Sequence, residues 1–142
     1  MSEHAAAAYY VLYRLSQQGF SATPKGVDHA ELVACTADGD RVAVLRLRTR
    51  GLNGRFMLRA EDRRPAGRNV SYVFVDLSGG EGGEPRCFVL RSALLLAMLE
   101  VDSEWPRDAR SFQGLEDCRD AWHLLGLGTP AVVRSQGVLS PS

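Results

Sequence analysis

Lysine is nearly absent from this chain: Lys25 stands alone against sixteen arginines. Arginine is therefore the default cation, and an arginine-rich surface needs no special explanation. Net charge is also lacking, since the formal sum is +0, so there is no global electrostatic argument for nucleic acid. No apolar run approaches the ~20 residues that span a bilayer; the longest, Ala93–Leu99, reads as a core segment. The N-terminus shows no basic region followed by a small-residue cleavage site, so no secretory signal and a cytoplasmic location are expected. Cysteines are few, odd in number and widely spaced (Cys35, Cys87, Cys118). They read as small buried hydrophobes in a reducing compartment, without a disulfide framework. Three histidines (His4, His29, His123) share no zinc-like spacing with other ligands. His29 and Glu31 fall on one strand face but commit only two side chains, so exposed polar residues at the start of a strand is the better reading. Walker and dinucleotide loops, Ser-x-x-Lys and Gly-x-Ser-x-Gly are all missing.

What is present suits one soluble α/β domain with a sizeable core: 142 residues, 45% hydrophobic and 24% charged. The domain is expected over residues 1–127, with 128–142 as a flexible tail. A helix is expected from about Ser2 to Gln18, capped by Ser2, carrying an Ala8/Val11/Leu12/Leu15 stripe and ended by Gly19. A short extended segment, Phe20–Thr23, leads to a turn at Pro24–Gly26. Two strands, His29–Thr36 and Arg41–Arg50, flank Asp38-Gly39, a hairpin signal. In the second strand both faces begin apolar. From Arg46 onward Leu45, Leu47 and Thr49 keep one face, while Arg46, Arg48 and Arg50 take the other. That change predicts a strand leaving the core at the rim of a cleft.

Beyond it come a turn at Gly51–Gly54, a short strand at Arg55–Ala60, and a polar loop at Glu61–Arg68. Asn69–Leu77 reads as a buried strand, Ser78–Pro85 as a glycine-rich turn, and Arg86–Leu90 as another strand. Helices are expected over Ala93–Glu100, with Ser92 as a cap, and over Leu115–Leu125, stopped by Gly126; a loop at Trp105-Pro106 separates them. The fold class is α/β (α+β): a central mixed sheet with helices on both faces.

Charge is unevenly distributed. Nine arginines (41, 46, 48, 50, 55, 59, 63, 64 and 68) lie in a stretch whose acids are Glu61 and Asp62, which makes +7 locally. This is either an electrostatic footprint for phosphates or a solvated arginine-rich face.

The order of these features resembles the PD-(D/E)XK nuclease-like superfamily, also called restriction-endonuclease-like. The residues that carry the resemblance are Leu15-Ser-Gln-Gln-Gly19-Phe20, then Glu31-Leu-Val-Ala, then Leu45-Arg46-Leu47-Arg48-Thr49. Tyr72–Leu77 and Ala121–Leu127 also look like segments of small stand-alone bacterial members, often uncharacterised. The resemblance spans roughly residues 5–127 and implies an αβββαβ core. It puts the acidic position on Glu31, the Asp/Glu/Gln position on Arg46 and the lysine position on Arg48. A first-helix carboxylate would fall near Ala8.

Only Glu31 keeps the expected charge. A cation at a ligand position repels Mg²⁺, and a guanidinium does not deprotonate near neutral pH to act as a base. The cutting site is thus expected to be degenerate, with no catalytic residue, metal or cofactor; the trio forms either a self-neutralising ion cluster or an anion site. Three readings follow. One is a non-cleaving domain that binds DNA or RNA phosphates through Arg46, Arg48, Arg50, Arg55 and Arg59, without membrane contact. Another is a protein-interaction module or homodimer, with Trp105, Trp122, Tyr9 and Tyr10 as aromatic anchors. The third is an active Mg²⁺-dependent nuclease whose ligand has moved to Asp28 or Asp76.

Overall fold

A computed structural model describes residues 2–26, 28–50, 56–78, 83–101 and 113–127. The chain opens with α1 (Glu3–Gln17), whose first turn is held by Ser2 Oγ accepting from the Ala5 N–H at 3.1 Å. Ala7, Ala8, Val11 and Leu15 form its buried stripe. Gly19, at φ 87°, ends it in a left-handed conformation that suits glycine.

Five strands follow: β1 (Ser21–Lys25), β2 (Glu31–Cys35), β3 (Val42–Arg50), β4 (Val70–Asp76) and β5 (Arg86–Arg91). They form one sheet in the order β1-β2-β3-β4-β5. The β3–β4 pair is parallel and every other neighbouring pair is antiparallel, so the sheet is mixed. The β2–β3 hairpin turns at Gly39, at φ 74°, where Thr36 Oγ donates to Asp38 Oδ1 at 2.6 Å.

Both sheet faces are covered, which explains the two-sided burial of β4. On one face Leu45, Leu47, Val73, Val75, Cys87 and Val89 pack under α1 and a 3-10 turn, Trp122–Leu125. On the other, Tyr72, Phe74, Phe88 and Leu90 meet Phe56, Leu95 and Leu99, the latter two from α2 (Ser92–Val101). The β1 edge carries Pro24 and Lys25, both of which discourage pairing with another chain. At the other edge, the Val89 N–H donates to Cys118 O and the Asp120 N–H to Cys87 O, each at 2.9 Å.

That last contact corrects the expected Leu115–Leu125 helix. Only Gln113–Glu116 (α3) is α-helical; residues 118–120 instead pair with β5, and Asp120 sits at φ 52°. Satisfying the sheet edge outweighs local helix propensity. The short strand expected at Arg55–Ala60 is likewise absent over Phe56–Arg59, because Phe56 turns inward onto Phe74, with ring centroids 5.0 Å apart. The polar loop at Glu61–Arg68 begins inside a 3-10 turn, Ala60–Arg63, within the β3–β4 crossover, and Asp62 in it is 1% exposed. The Gly51–Gly54 turn, Arg55, most of the glycine-rich turn, Trp105-Pro106 and the 128–142 tail lie outside the described residues. Among the described residues no helix is long and apolar enough to cross a membrane.

All three cysteines are free. Burial, reinforced by Asp120, pushes the Cys87 thiol up to about 12, far from the thiolate that reacts. Cys87 is therefore expected to resist alkylation in native protein and to react only on unfolding, as timed thiol labelling with and without urea would read. Native labelling of Cys87 at the rate of an exposed thiol would contradict this placement.

Candidate functional site

The arginine face of β3 does not leave the core. Arg48 is 2% exposed, held between the Ala60–Arg63 turn that it bonds and the Tyr72 ring beside it. Its guanidinium grips Asp62 with two parallel bonds, Nε to Oδ2 and Nη2 to Oδ1, each 2.6 Å. This fork-to-fork geometry is specific to arginine. Arg48 also donates to Leu47 O at 2.9 Å and to Glu61 Oε2 at 3.1 Å. Asp62 accepts two further bonds, from the Arg59 N–H at 2.8 Å and the Tyr72 hydroxyl at 2.9 Å, so each carboxylate oxygen takes two donors. Burial alone would raise the Asp62 pKa, but Arg48 and these donors hold it below the usual carboxylate range. For Arg48, burial pulls downward and Asp62 more than reverses it, so its pKa is raised.

Arg46 completes the cluster. Its Nη1 donates to the Tyr72 hydroxyl at 2.8 Å, and its Nε lies 3.5 Å from Glu31 and 4.0 Å from Glu61. Both guanidinium groups lie against the Tyr72 ring, Arg46 at 5.7 Å and Arg48 at 5.6 Å from its centroid. Tyr72 is fully buried; burial, with help from Asp62, pushes its hydroxyl up to about 12. The centre thus holds two cations against three carboxylates (Glu31, Glu61, Asp62), with Lys25 3.9 Å from Glu31 supplying a third cation at the rim. Within this cluster the charges of Arg46 and Arg48 are balanced.

A second cluster lies further along the same two strands, where Arg50 pairs with Asp76. Asp76, 0% exposed, accepts from Arg50 Nη2 at 2.9 Å and Nε at 3.2 Å, from the Ser78 N–H at 2.9 Å and hydroxyl at 2.5 Å, and from Arg86 Nη2. Burial opposes ionisation here, yet the arginines and Ser78 hold Asp76 down at about 2.

Glu31, Arg46 and Arg48 do come together, as a closed ion-pair network rather than an open cleft. Arg50 is tied to Asp76, and Arg59 is exposed and paired with Asp28 at 3.2 Å. Arg55 lies outside the described residues. The residues do not fit a divalent metal: a guanidinium stands between Glu31 and Glu61, and Asp62, Asp28 and Asp76 are all bonded to arginines. Among the described residues no group of three or more His, Cys, Asp or Glu side chains is placed to hold a metal ion.

Sequence reasoning missed Asp62, Glu61 and Tyr72 as members of the site. The one signal available was an Asp/Glu pair inside an arginine run, which reads equally well as a solvated loop. The domain is an α+β protein built on a five-stranded mixed sheet flanked by helices. No family model matches the chain, and no curated protein or solved structure matches it either.

Proposed function

We propose that this chain is a non-cleaving, nuclease-like domain that serves as a binding module for nucleic-acid phosphates. The observation that carries the absence of cutting is the arginine-filled centre, in which each carboxylate that could hold Mg²⁺ faces a guanidinium instead. The resemblance of Glu31, Arg46 and Arg48 to the motif positions supports the nuclease-like reading, and free cysteines suit a cytoplasmic setting. Binding is assigned to a different set of arginines from those of β3. Arg63, Arg64 and Arg68 are exposed on the segment that covers the centre, and Arg59 is 45% exposed beside them. These can reach phosphates without unmaking the core.

Fluorescence anisotropy with labelled duplex DNA, single-stranded DNA and RNA tests this. Three phosphate contacts to a duplex predict an affinity loss of about 40-fold between roughly 50 and 200 mM salt. The triple variant Arg63→Gln/Arg64→Gln/Arg68→Gln is expected to lose most of the binding while its Tm stays put. Absent or salt-insensitive binding at low ionic strength defeats the proposal. So does cleavage with Mg²⁺ that EDTA abolishes and Glu31→Ala removes, the outcome belonging to an active nuclease.

A protein-interaction role has one observation of its own: Tyr9 and Tyr13 stand 55% and 57% exposed one turn apart on α1. Light scattering that shows concentration-dependent self-association, lost in Tyr9→Ser/Tyr13→Ser, would favour it.

A further inference from the structure

A cavity of about 550 Å³ opens where the second half of α1 meets the start of β5 and the 118–120 segment. Its size lies within the range of small-molecule sites. Three guanidinium groups line it from three separate elements: Arg14 from α1, Arg86 from β5, and Arg119 from the segment paired to β5. Tyr10 adds a hydroxyl that already accepts from Arg14 Nη1 at 3.3 Å, which leaves its own proton to donate. Two carboxylates share the lining, Glu84 and Asp120, and Asp120 is held by Arg14 at 3.1 Å. The cavity is therefore rich in donors and carries one excess positive charge.

Two buried donors, one on a lining residue and one next to Arg14, have no hydrogen-bond partner among the described residues. Arg86 directs Nη2 to Asp76, while its Nε is buried without a hydrogen bond. Trp122 Nε1 is likewise buried and unpaired, and Arg14 lies over that ring, 5.8 Å from its centroid. An unpaired buried donor costs free energy, and of these two it is Arg86, a lining residue, that an accepting ligand can approach. Arg14 is also preorganised: stacking on Trp122 and bonding to Tyr10 and Asp120 fix its plane before anything binds. Asp120, at φ 52°, holds its left-handed conformation where its carboxylate anchors Arg14.

We propose that this cavity is a binding site for a metabolite-sized molecule carrying an oxyanion, a phosphate or carboxylate group, with Arg14, Arg86 and Arg119 as its donors. The site is separate from the arginines assigned to nucleic acid, and it stands or falls independently of that reading. Its lining is polar, so binding is driven by charge-assisted hydrogen bonds and weakens with salt.

The test uses the full chain with three probes: inorganic phosphate, pyrophosphate and malonate. Calorimetry and amide and indole NMR shifts are the readouts, with the Trp122 indole resonance identified by its loss in Trp122→Phe. At least one probe is expected to bind saturably, shifting the Asp120 amide and the Trp122 indole together. Phosphates binding more tightly than malonate would assign a phosphate ligand, and the reverse a carboxylate. Arg119→Gln, an exposed position, should weaken binding about tenfold or more with an unchanged Tm, and Arg119→Lys should restore part of it. Arg63→Gln/Arg64→Gln/Arg68→Gln should leave it intact, which separates this site from the nucleic-acid reading. No saturable shift up to about 20 mM probe at low salt, or binding indifferent to Arg119→Gln, overturns the proposal.

Discussion

Asp62→Ala is expected to lower the unfolding free energy by about 3–5 kcal/mol. The carboxylate is buried and accepts four hydrogen bonds, two of them from Arg48, itself 2% exposed. Removing it leaves a guanidinium in the core with only the part-exposed Glu61 as counter-charge, and Arg48 cannot escape by losing its proton. The same truncation frees the Tyr72 hydroxyl and the Arg59 N–H, so the covering turn loosens as well. Urea denaturation gives the number directly. The double replacement Arg48→Met/Asp62→Leu should recover much of the loss, because an apolar pair of similar volume carries no desolvation penalty. A loss under about 1 kcal/mol in Asp62→Ala would mean that the pair is solvated, contrary to its burial.

Acid is expected to destabilise the protein through Asp76, with the loss concentrated between about pH 5 and pH 2. The folded-state pKa lies at about 2, below the ordinary 3.8. A depressed carboxylate contributes stability that is fully present above its unfolded pKa and lost as pH falls through its folded one. A shift of that size corresponds to about 2 kcal/mol at neutral pH. Asp62, shifted in the same direction, adds to the same window. Asp76→Asn should be less stable at pH 7 and should show a flatter stability profile below pH 5, since the proton it can no longer bind was the source of the slope. Replacing the charge also leaves Arg50 and Arg86 facing a neutral amide. Equal pH slopes in the wild type and Asp76→Asn would exclude this assignment.

The two effects bear on the arginine run. Of the nine arginines that make the 41–68 segment basic, Arg46, Arg48 and Arg50 hold the fold together. Testing nucleic-acid binding with Arg46→Ala or Arg48→Ala would therefore confuse unfolding with loss of contact, which is why the exposed positions 63, 64 and 68 are the informative ones.

Much of the fold was legible in the residues alone. Apolar, β-rich runs and the Asp38-Gly39 hairpin signal located β2 through β5 to within two residues at each end, and the capped alanine-rich segment located α1. Alternation within β3 sorted Leu45, Leu47 and Thr49 from Arg46, Arg48 and Arg50, because successive side chains of a strand point to opposite faces. Where the reading failed, a non-local contact prevailed. The 118–120 segment has helical neighbours, yet it fills the hydrogen-bonding edge of β5. Phe56 follows the pull of Phe74 instead of extending a strand.

The sequence by itself determined the order of α1 and the strands, the two-faced core and the arginine face of β3, all of which depend on local pattern. Only the tertiary structure decided what those arginines meet. Charge is a property of the chain, but its neutralisation depends on distance, and Asp62 and Asp76 stand 14 and 26 residues away from the arginines they bind. The parallel β3–β4 pairing brings Asp76 beside Arg50, and the crossover turn brings Asp62 onto Arg48. That closure made an apparent basic cleft into a buried, balanced ion-pair network.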